Sequence, residues 1–442
     1  MIQIDLLLHP EWIVPVQPHG KVFTKHSIAI GDSKILDILP TFEAIQQYGN
    51  ITKEQIALPG QVIMPGLTNT HSHAAMTLLR GLADDLPLMT WLQDHIWPTE
   101  QKWVSEDFVA AGTNLAIAEM LRGGTTCFND MYFFPDIVGR CAIEAGMRAS
   151  VGLVLFDFPT AWGNGPDEYF RKGIAVIEKF RGNPLITCAW APHAPYSVSD
   201  KPLLRTQELA EEYNIKIQMH VHETADEVAA AIEKNGERPV KRLQKLGLLT
   251  PRLQAVHMTE LNQEDFECLE GSGVHIVHNP ESNLKLASGI CRVQYCLDLG
   301  LNVALGTDGA ASNNDLDMFS ELRTAALLGK MAAQNPSAIP AAMALRIATL
   351  NGAKAMGIDH ITGSLERGKS ADIIAVDLSG IESQPLYDVI SQLVYATSRY
   401  QIQHVWVAGK QLMENRKLLT IDERKLLSDI QSWKENIAPK LM

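Results

Sequence analysis

Between Val62 and Asp308 the chain repeats one pattern eight times: a short apolar run of strand character, then a stretch with helical spacing. The runs are VIMPG (62–66), TTCFND (125–130), ASVGLVLF (149–156), LITCAWAPH (185–193), KIQMHVHE (216–223), LQAVHMTE (253–260), GVHIVHNP (273–280) and LNVALGTDG (301–309). Nearly continuous apolar strands need cover on both faces, so their alternation with helices predicts a parallel sheet. Eight units over roughly 250 residues match the size of a closed (β/α)8 TIM-like barrel, in which functional groups collect at the C-terminal ends of the strands. A doubly wound open sheet is the other arrangement of such units. The helices carry their own signals. In SEDFVAAGTNLAIAEMLRGG, Ser105 can cap, Glu106 and Asp107 suit the positive end of the helix dipole, and Gly123 and Gly124 stop it.

The two chain ends read differently. WIVPVQPHGKVFTKHSIAIGDSKILDIL, GKSADIIAVDL and HVWVAGKQL are short strand-like pieces punctuated by turn residues, and the segment from Ile421 has helical spacing. The expected organisation is a composite β-sandwich domain from residues 1–62 and 366–442, around a barrel over residues 63–365.

Composition excludes whole classes of partner. A net charge of −13 over 442 residues argues against nucleic acid and against an anionic membrane surface, both of which need clustered Lys and Arg. No apolar run approaches the roughly 18 residues of a membrane span, and MIQIDLLLHPEWIVP lacks the basic start and small-residue cleavage site of a secretory leader. The six cysteines form no CxxC pair, which suggests neither a thiolate zinc site nor a disulfide framework and fits a reducing cytoplasm. A small molecule is the expected partner.

The ends of the runs carry the chemistry. PGLTNTHSH offers His71 and His73, which face one side if the chain near Asn69 is extended. KIQMHVHE adds His220, His222 and Glu223, AVHMTE adds His257, and LGTDG adds Asp308. In a barrel these groups converge on one mouth. Three imidazoles and a carboxylate form a site for Zn²⁺ or another first-row divalent ion, which lowers the pKa of a coordinated water to about 7. Spacing does not choose between His220 and His222 as the ligand.

HSH after PG, HVHE, VHMTEL, HNPESNLKLASG and LGTDGAASNN resemble the amidohydrolase superfamily. With MPGLTNTHSHAAMTLLRGLADDLPLMTWL, WPTE, GGTTCFNDMYF, APHAPYSVS, LNGAKAMG and GSLERGKSADIIAVD, the resemblance runs through nearly the whole chain and is closest to the methylthioadenosine/S-adenosylhomocysteine deaminase branch. It implies a (β/α)8 barrel with a β-sandwich from both termini, a homo-oligomer, and metal ligands His71, His73, His220 and Asp308. It further implies Glu223 as proton shuttle, His257 beside the metal water, and Glu100 and His193 at the substrate. Some amidohydrolases bridge two metals with a carboxylated lysine at the fourth strand; CAWAPHAP has none, so one metal ion is expected, Zn²⁺ being the best match.

The implied reaction is hydrolysis of the adenine C6–N bond of 5′-methylthioadenosine, S-adenosylhomocysteine or adenosine. Asp308 would accept the proton of the attacking water, His257 would orient it, and Glu223, protonated beforehand, would deliver a proton to N1 and help ammonia leave. Glu100 suits ribose hydroxyls. Arg148 is the candidate clamp for a substrate carboxylate, while Phe156, Phe158 and Trp162 suggest an apolar cover and favour methylthioadenosine. A triazine chlorohydrolase or a guanine or cytosine deaminase would use the same metal chemistry on another electron-poor ring.

Overall fold

The computed structural model describes residues 4–438. One sheet takes β1 (Ile4–Ile13), β2 (Phe23–Thr24), β3 (His26–Gly31), β4 (Lys34–Pro40) and β5 (Thr52–Pro65) from the front of the chain. The second is formed by β6 (Leu67–Ser72), β7 (Thr125–Asp130), β8 (Arg148–Leu155), β9 (Ile186–Pro192), β10 (Lys216–Val221), β11 (Leu253–His257), β12 (His275–His278) and β13 (Asn302–Leu305). The back of the chain returns to the first sheet with β14 (Ile373–Asp377), β15 (Ile402–Val407), β16 (Lys410–Glu414) and β17 (Lys417–Leu418).

The second sheet is all parallel and runs in chain order from β6 to β13. It closes where Ser72 pairs with Asp308, and the Asp308 N–H donates to His71 O at 3.0 Å. Closure requires Gly306, since a Cβ there would lie 2.8 Å from the Cβ of His71. Helices separate the strands, as expected for a (β/α)8 barrel. The helix Glu106–Arg122 forms as its sequence predicts: Ser105 accepts from the Phe108 N–H at 3.2 Å, and the chain leaves through Gly123 and Gly124.

The first sheet has the order β17-β16-β15-β14-β5-β1-β3-β4, with β2 on β1. It curls back on itself. Lys34 at the turn between β3 and β4 pairs with Ser370, and the Ala371 N–H donates to Ser33 O at 3.0 Å. The fold encloses Leu8, Ile28, Ile63, Ile373 and Trp406 as a small core of its own. Not all of the C-terminal segment joins it: the helix Glu423–Ile437 lies on the barrel helix Glu106–Arg122, where Trp433 meets Phe108 edge to face at 5.5 Å.

One of the eight runs is misplaced by the sequence pattern. VIMPG does not open the barrel: Val62–Pro65 ends the long β5 and pairs with β1 and β14. The first barrel strand is LTNTHS, which is polar on both faces: Asn69 and His71 point into the barrel, while Thr68 and Thr70 lie against the helix Leu350–Ala355 at Gly352. Asn69 Nδ2 donates to Thr307 Oγ1 at 2.8 Å, and the Thr70 hydroxyl donates to Leu305 O at 2.6 Å. The chain passes from one sheet to the other at Gly66, where a Cβ would come within 2.1 Å of Thr126.

Candidate active site

His71 in β6, His73 just past it, His220 in β10, His257 closing β11 and Asp308 after β13 all meet at the C-terminal mouth of the barrel. His257 and Asp308 hold φ of +77° and +62°, a left-handed backbone that non-glycine residues seldom adopt. Such strain is kept where the surroundings enforce it.

The donor set itself indicates a cation. His73 Nδ1 faces Met131 O at 2.6 Å, His220 Nδ1 faces His193 O at 2.9 Å, and His71 Nδ1 faces Gln218 Oε1 at 3.4 Å. Gln218 cannot turn its amide, because its Nε2 donates to Asp130 O at 2.7 Å. His71 and His220 thus carry the hydrogen on Nδ1 and present Nε2 lone pairs, whereas burial works against a charged His73 but Asp308 and the Met131 carbonyl hold it up to about 9, so a cation would have to displace the proton on its Nε2. Those lone pairs converge: His71 Nε2 lies 3.1 Å from His220 Nε2 and 3.4 Å from Asp308 Oδ1, and His73 Nε2 lies 3.1 Å from Asp308 Oδ1. Buried acceptors facing acceptors repel one another unless a positive charge stands among them. Burial favours neutral imidazole, pushing His71 down to about 4 and His220 well below its ordinary value. Burial works against the Asp308 carboxylate, but His71 and His73 hold it well below its ordinary value. Its Oδ2 accepts from the hydroxyls of Ser282 at 2.7 Å and Ser312 at 3.1 Å.

Above this cluster opens a cavity of about 880 Å³ lined by His73, Glu100, His193, Glu223 and aromatic side chains. Burial, then the charge of Asp308, pushes Glu223 up to about 8, so it is protonated at neutral pH. Its Oε2 is 3.8 Å from His257 Nε2, and His257 Nδ1 donates to Asn283 Oδ1 at 2.9 Å. Glu100 is half-buried, and its loss of water pushes it up to about 7, although Tyr132, whose hydroxyl donates to its Oε1 at 2.6 Å, opposes the rise. His193 stacks on Phe156 at 4.8 Å, and its Nδ1 lies 2.9 Å from Ser197 Oγ.

With this arrangement in view, the comparison of residues 62–412 with known families is decisive, since they match the amidohydrolase family. The chain belongs to that family. Relatives named 5-methylthioadenosine/S-adenosylhomocysteine deaminase are 48% identical over 99% of this chain and 98% of the protein from Teredinibacter turnerae, and 50% identical over 98% and 97% for Saccharophagus degradans. A 5'-deoxyadenosine deaminase from Methanosarcina mazei is 39% identical over 99% of both chains. Among solved structures, an adenosine deaminase from Xanthomonas campestris with bound zinc superposes with a TM-score of 0.97 at 47% identity, over 99% of both chains. A triazine hydrolase at 21% identity and TM-score 0.91 shares the fold. Family, zinc-bound neighbour and donor set together support a metal cofactor for this amidohydrolase.

Of the two positions still in question, His222 has no assigned role and Arg148 is the expected substrate clamp. His222 turns away at φ +54°: its Nδ1 donates to Glu260 O at 3.1 Å and its Nε2 accepts from the Val240 N–H at 3.2 Å. It joins two loops and has no free lone pair. Arg148 does not clamp a substrate. It opens β8, at the end of the barrel opposite the cavity, and four of its five N–H hydrogens are held there by Asp372, Pro184 O and Ser370. Of the aromatic cover, Phe156 and Phe158 line the cavity, whereas Trp162 packs on Tyr169 outside it. Sequence reasoning missed Tyr132, Ser282, Asn283 and Ser312. All four stand in quoted motifs, Tyr132 in GGTTCFNDMYF, Ser282 and Asn283 in HNPESNLKLASG and Ser312 in LGTDGAASNN, so their polarity beside a strand end was the available signal.

Proposed function

We propose that this amidohydrolase hydrolyses the exocyclic C6–N bond of an adenine nucleoside, giving the inosine analogue and ammonia. The observation that carries the reading is a buried, protonated Glu223 beside a knot of converging lone pairs, in a cavity that also holds a second, half-buried carboxyl, Glu100. The names of the relatives agree: methylthioadenosine, S-adenosylhomocysteine and 5'-deoxyadenosine share an adenine and a ribose and differ at the 5' position.

His71, His73, His220 and Asp308 would hold one divalent ion, for which Zn²⁺ is the best candidate given the soft-to-borderline nitrogen ligands. When bound, the ion supplies a Lewis acid that lowers the pKa of water to about 7. The side chains supply the rest. Glu223 gives its proton to N1 of the ring as C6 turns tetrahedral; the carboxylate so formed takes the proton of the new C6 hydroxyl and passes it to the leaving nitrogen, and the proton that Asp308 took from water restores Glu223. Asp308, its Oδ2 held by two serines and its Oδ1 accepting from the Gly309 N–H at 2.9 Å, presents Oδ1 to the cluster, where the carboxylate would receive the proton of water. His257, with Nδ1–H fixed on Asn283, keeps the Nε2 lone pair pointed at the reacting centre. Glu100, ordered by Tyr132, accepts the ribose hydroxyls, and His193 flanks the sugar. The six cysteines, all free, suit a reducing compartment such as the cytoplasm. No helix among the described residues is long and apolar enough to cross a membrane.

The test is turnover of methylthioadenosine, S-adenosylhomocysteine, adenosine, guanine and a chlorotriazine by the metal-loaded protein, following ammonia or chloride and the ultraviolet change from adenine to hypoxanthine. Turnover of adenine nucleosides, abolished by a chelator, is the expected result. Turnover of another ring alone would overturn the nucleoside reading.

A further inference from the structure

The cavity wall has a charge pattern that bears on which adenine nucleoside fits, and the inference rests on the deaminase reading above. A row of rings leads outward from the cluster. His193 lies 5.0 Å from His220, Phe156 lies 4.8 Å from His193, and Phe158 lies 5.0 Å from Phe156 and is 46% exposed at the rim. Phe133 flanks Phe156 at 6.2 Å. A nucleoside with its base at the cluster and its ribose between Glu100 and His193 lays its 5' substituent along these rings.

Among the described residues no lysine or arginine lines the cavity, whereas Glu100, Glu223 and Asp308 do. The two cations next in sequence to lining residues are committed elsewhere. Lys285 is bound to Asp84 and Asn314, and Lys102 sits over the Trp103 ring at 5.4 Å. Arg148, the sequence candidate for a carboxylate clamp, is locked on Asp372 at the other end of the barrel. A thioether or methyl group on aromatic walls is favourable. A carboxylate laid on the same walls loses water and meets no donor fork in return.

We propose that the cavity selects against an anionic group at the 5' position: nucleosides with an uncharged 5' substituent are the preferred substrates, and the amino-acid tail of S-adenosylhomocysteine is disfavoured by its carboxylate rather than its length. The experiment compares kcat/KM of the metal-loaded full chain for 5'-methylthioadenosine, 5'-butylthioadenosine and S-adenosylhomocysteine. Butylthioadenosine has a tail of similar reach without charge. The two neutral thioethers should agree within about threefold and S-adenosylhomocysteine should fall at least about tenfold below them, the scale of an imperfectly paired charge at a partly open site. Phe158→Arg, set against Phe158→Gln, should raise the ratio of S-adenosylhomocysteine to methylthioadenosine activity by about fivefold or more. The proposal is overturned if S-adenosylhomocysteine equals or exceeds methylthioadenosine, if the butyl compound is as poor as S-adenosylhomocysteine, or if arginine moves the ratio no more than glutamine. Inertness of all three nucleosides would instead remove the deaminase reading, and this inference with it.

Discussion

The two ends of the barrel both bury charged groups, and they treat them in opposite ways. At the N-terminal end Arg148 meets Asp372 through Nε and Nη2 at 2.8 and 3.2 Å, and further hydrogens reach Pro184 O and Ser370 Oγ. Four of the five N–H hydrogens thus have an acceptor, and each nitrogen has at least one. At the C-terminal end the Nε2 lone pairs of His71 and His220 and an oxygen of Asp308 face each other, and Glu223 keeps a proton that a solvent-exposed glutamate would lose. A satisfied buried pair fixes structure, tying β8 to the segment before β14. Buried acceptors without donors hold a place for a ligand. The difference lies in hydrogen-bond completeness, and burial alone does not reveal it.

The two ends also respond to pH with opposite sign. Burial works against the Asp372 carboxylate, but Arg148 holds it below its ordinary value, so its contribution to stability is present at neutral pH and is lost on acidification. Glu223 is raised from 4.5 to about 8, so folding takes up a proton in that interval, and its contribution falls as pH rises through it. Glu223→Gln breaks the comparison most strongly. We expect kcat to fall by about 10³-fold, within the range of a lost general acid, while metal analysis finds the ion still bound. The variant should also lose less thermal stability than the parent between pH 6 and about 9, since glutamine stays neutral throughout. Wild-type turnover, or loss of the metal, would remove Glu223 from the acid role.

Arg148→Met tests the other end. Asp372 would be left buried with its main partner gone, which costs about 3–5 kcal/mol of stability and lowers Tm by several degrees. The variant that folds should keep the ratio of its activities on methylthioadenosine and S-adenosylhomocysteine. A selective rise in KM for S-adenosylhomocysteine at unchanged Tm would return Arg148 to the substrate.

That misreading shows what the sequence makes legible. Residues that follow an apolar run lie at one end of a parallel barrel and those that precede it lie at the other. His220 and Glu223 close KIQMHVHE and Asp308 closes LNVALGTD, whereas Arg148 stands before ASVGLVLF, so its place at the opposite end was readable from order alone. Strand β6 was hidden because its polar residues are satisfied by the neighbouring strand end, Asn69 by Thr307 and Thr70 by Leu305 O, and period and hydropathy register neither bond. The choice between His220 and His222 depended on where β10 stops: the chain leaves extended geometry at His222, and i and i+2 no longer share a face. The role of Tyr132 was out of reach, since its bond to Glu100 joins the loop after β7 to the helix Trp97–Trp103 across 32 residues.

The smallest expected effect refines the mouth itself. Tyr132 is the one hydrogen bond that favours the charged form of Glu100 against its burial, so Tyr132→Phe moves the Glu100 pKa upward from about 7. At pH 7 a larger share of the carboxyl is then neutral and accepts ribose hydroxyls less well. KM for the nucleoside should rise about fivefold, the scale of one hydrogen bond to a charged group, with kcat nearly unchanged because Glu100 takes no part in the proton transfers. The sign of the pH dependence separates this from simple damage to the wall. As pH rises past the shifted pKa the carboxylate forms in the variant too, so its KM should approach that of the parent near pH 9. A KM defect constant across pH would mean that Tyr132 acts by packing, and that the charge of Glu100 is not what the ribose recognises.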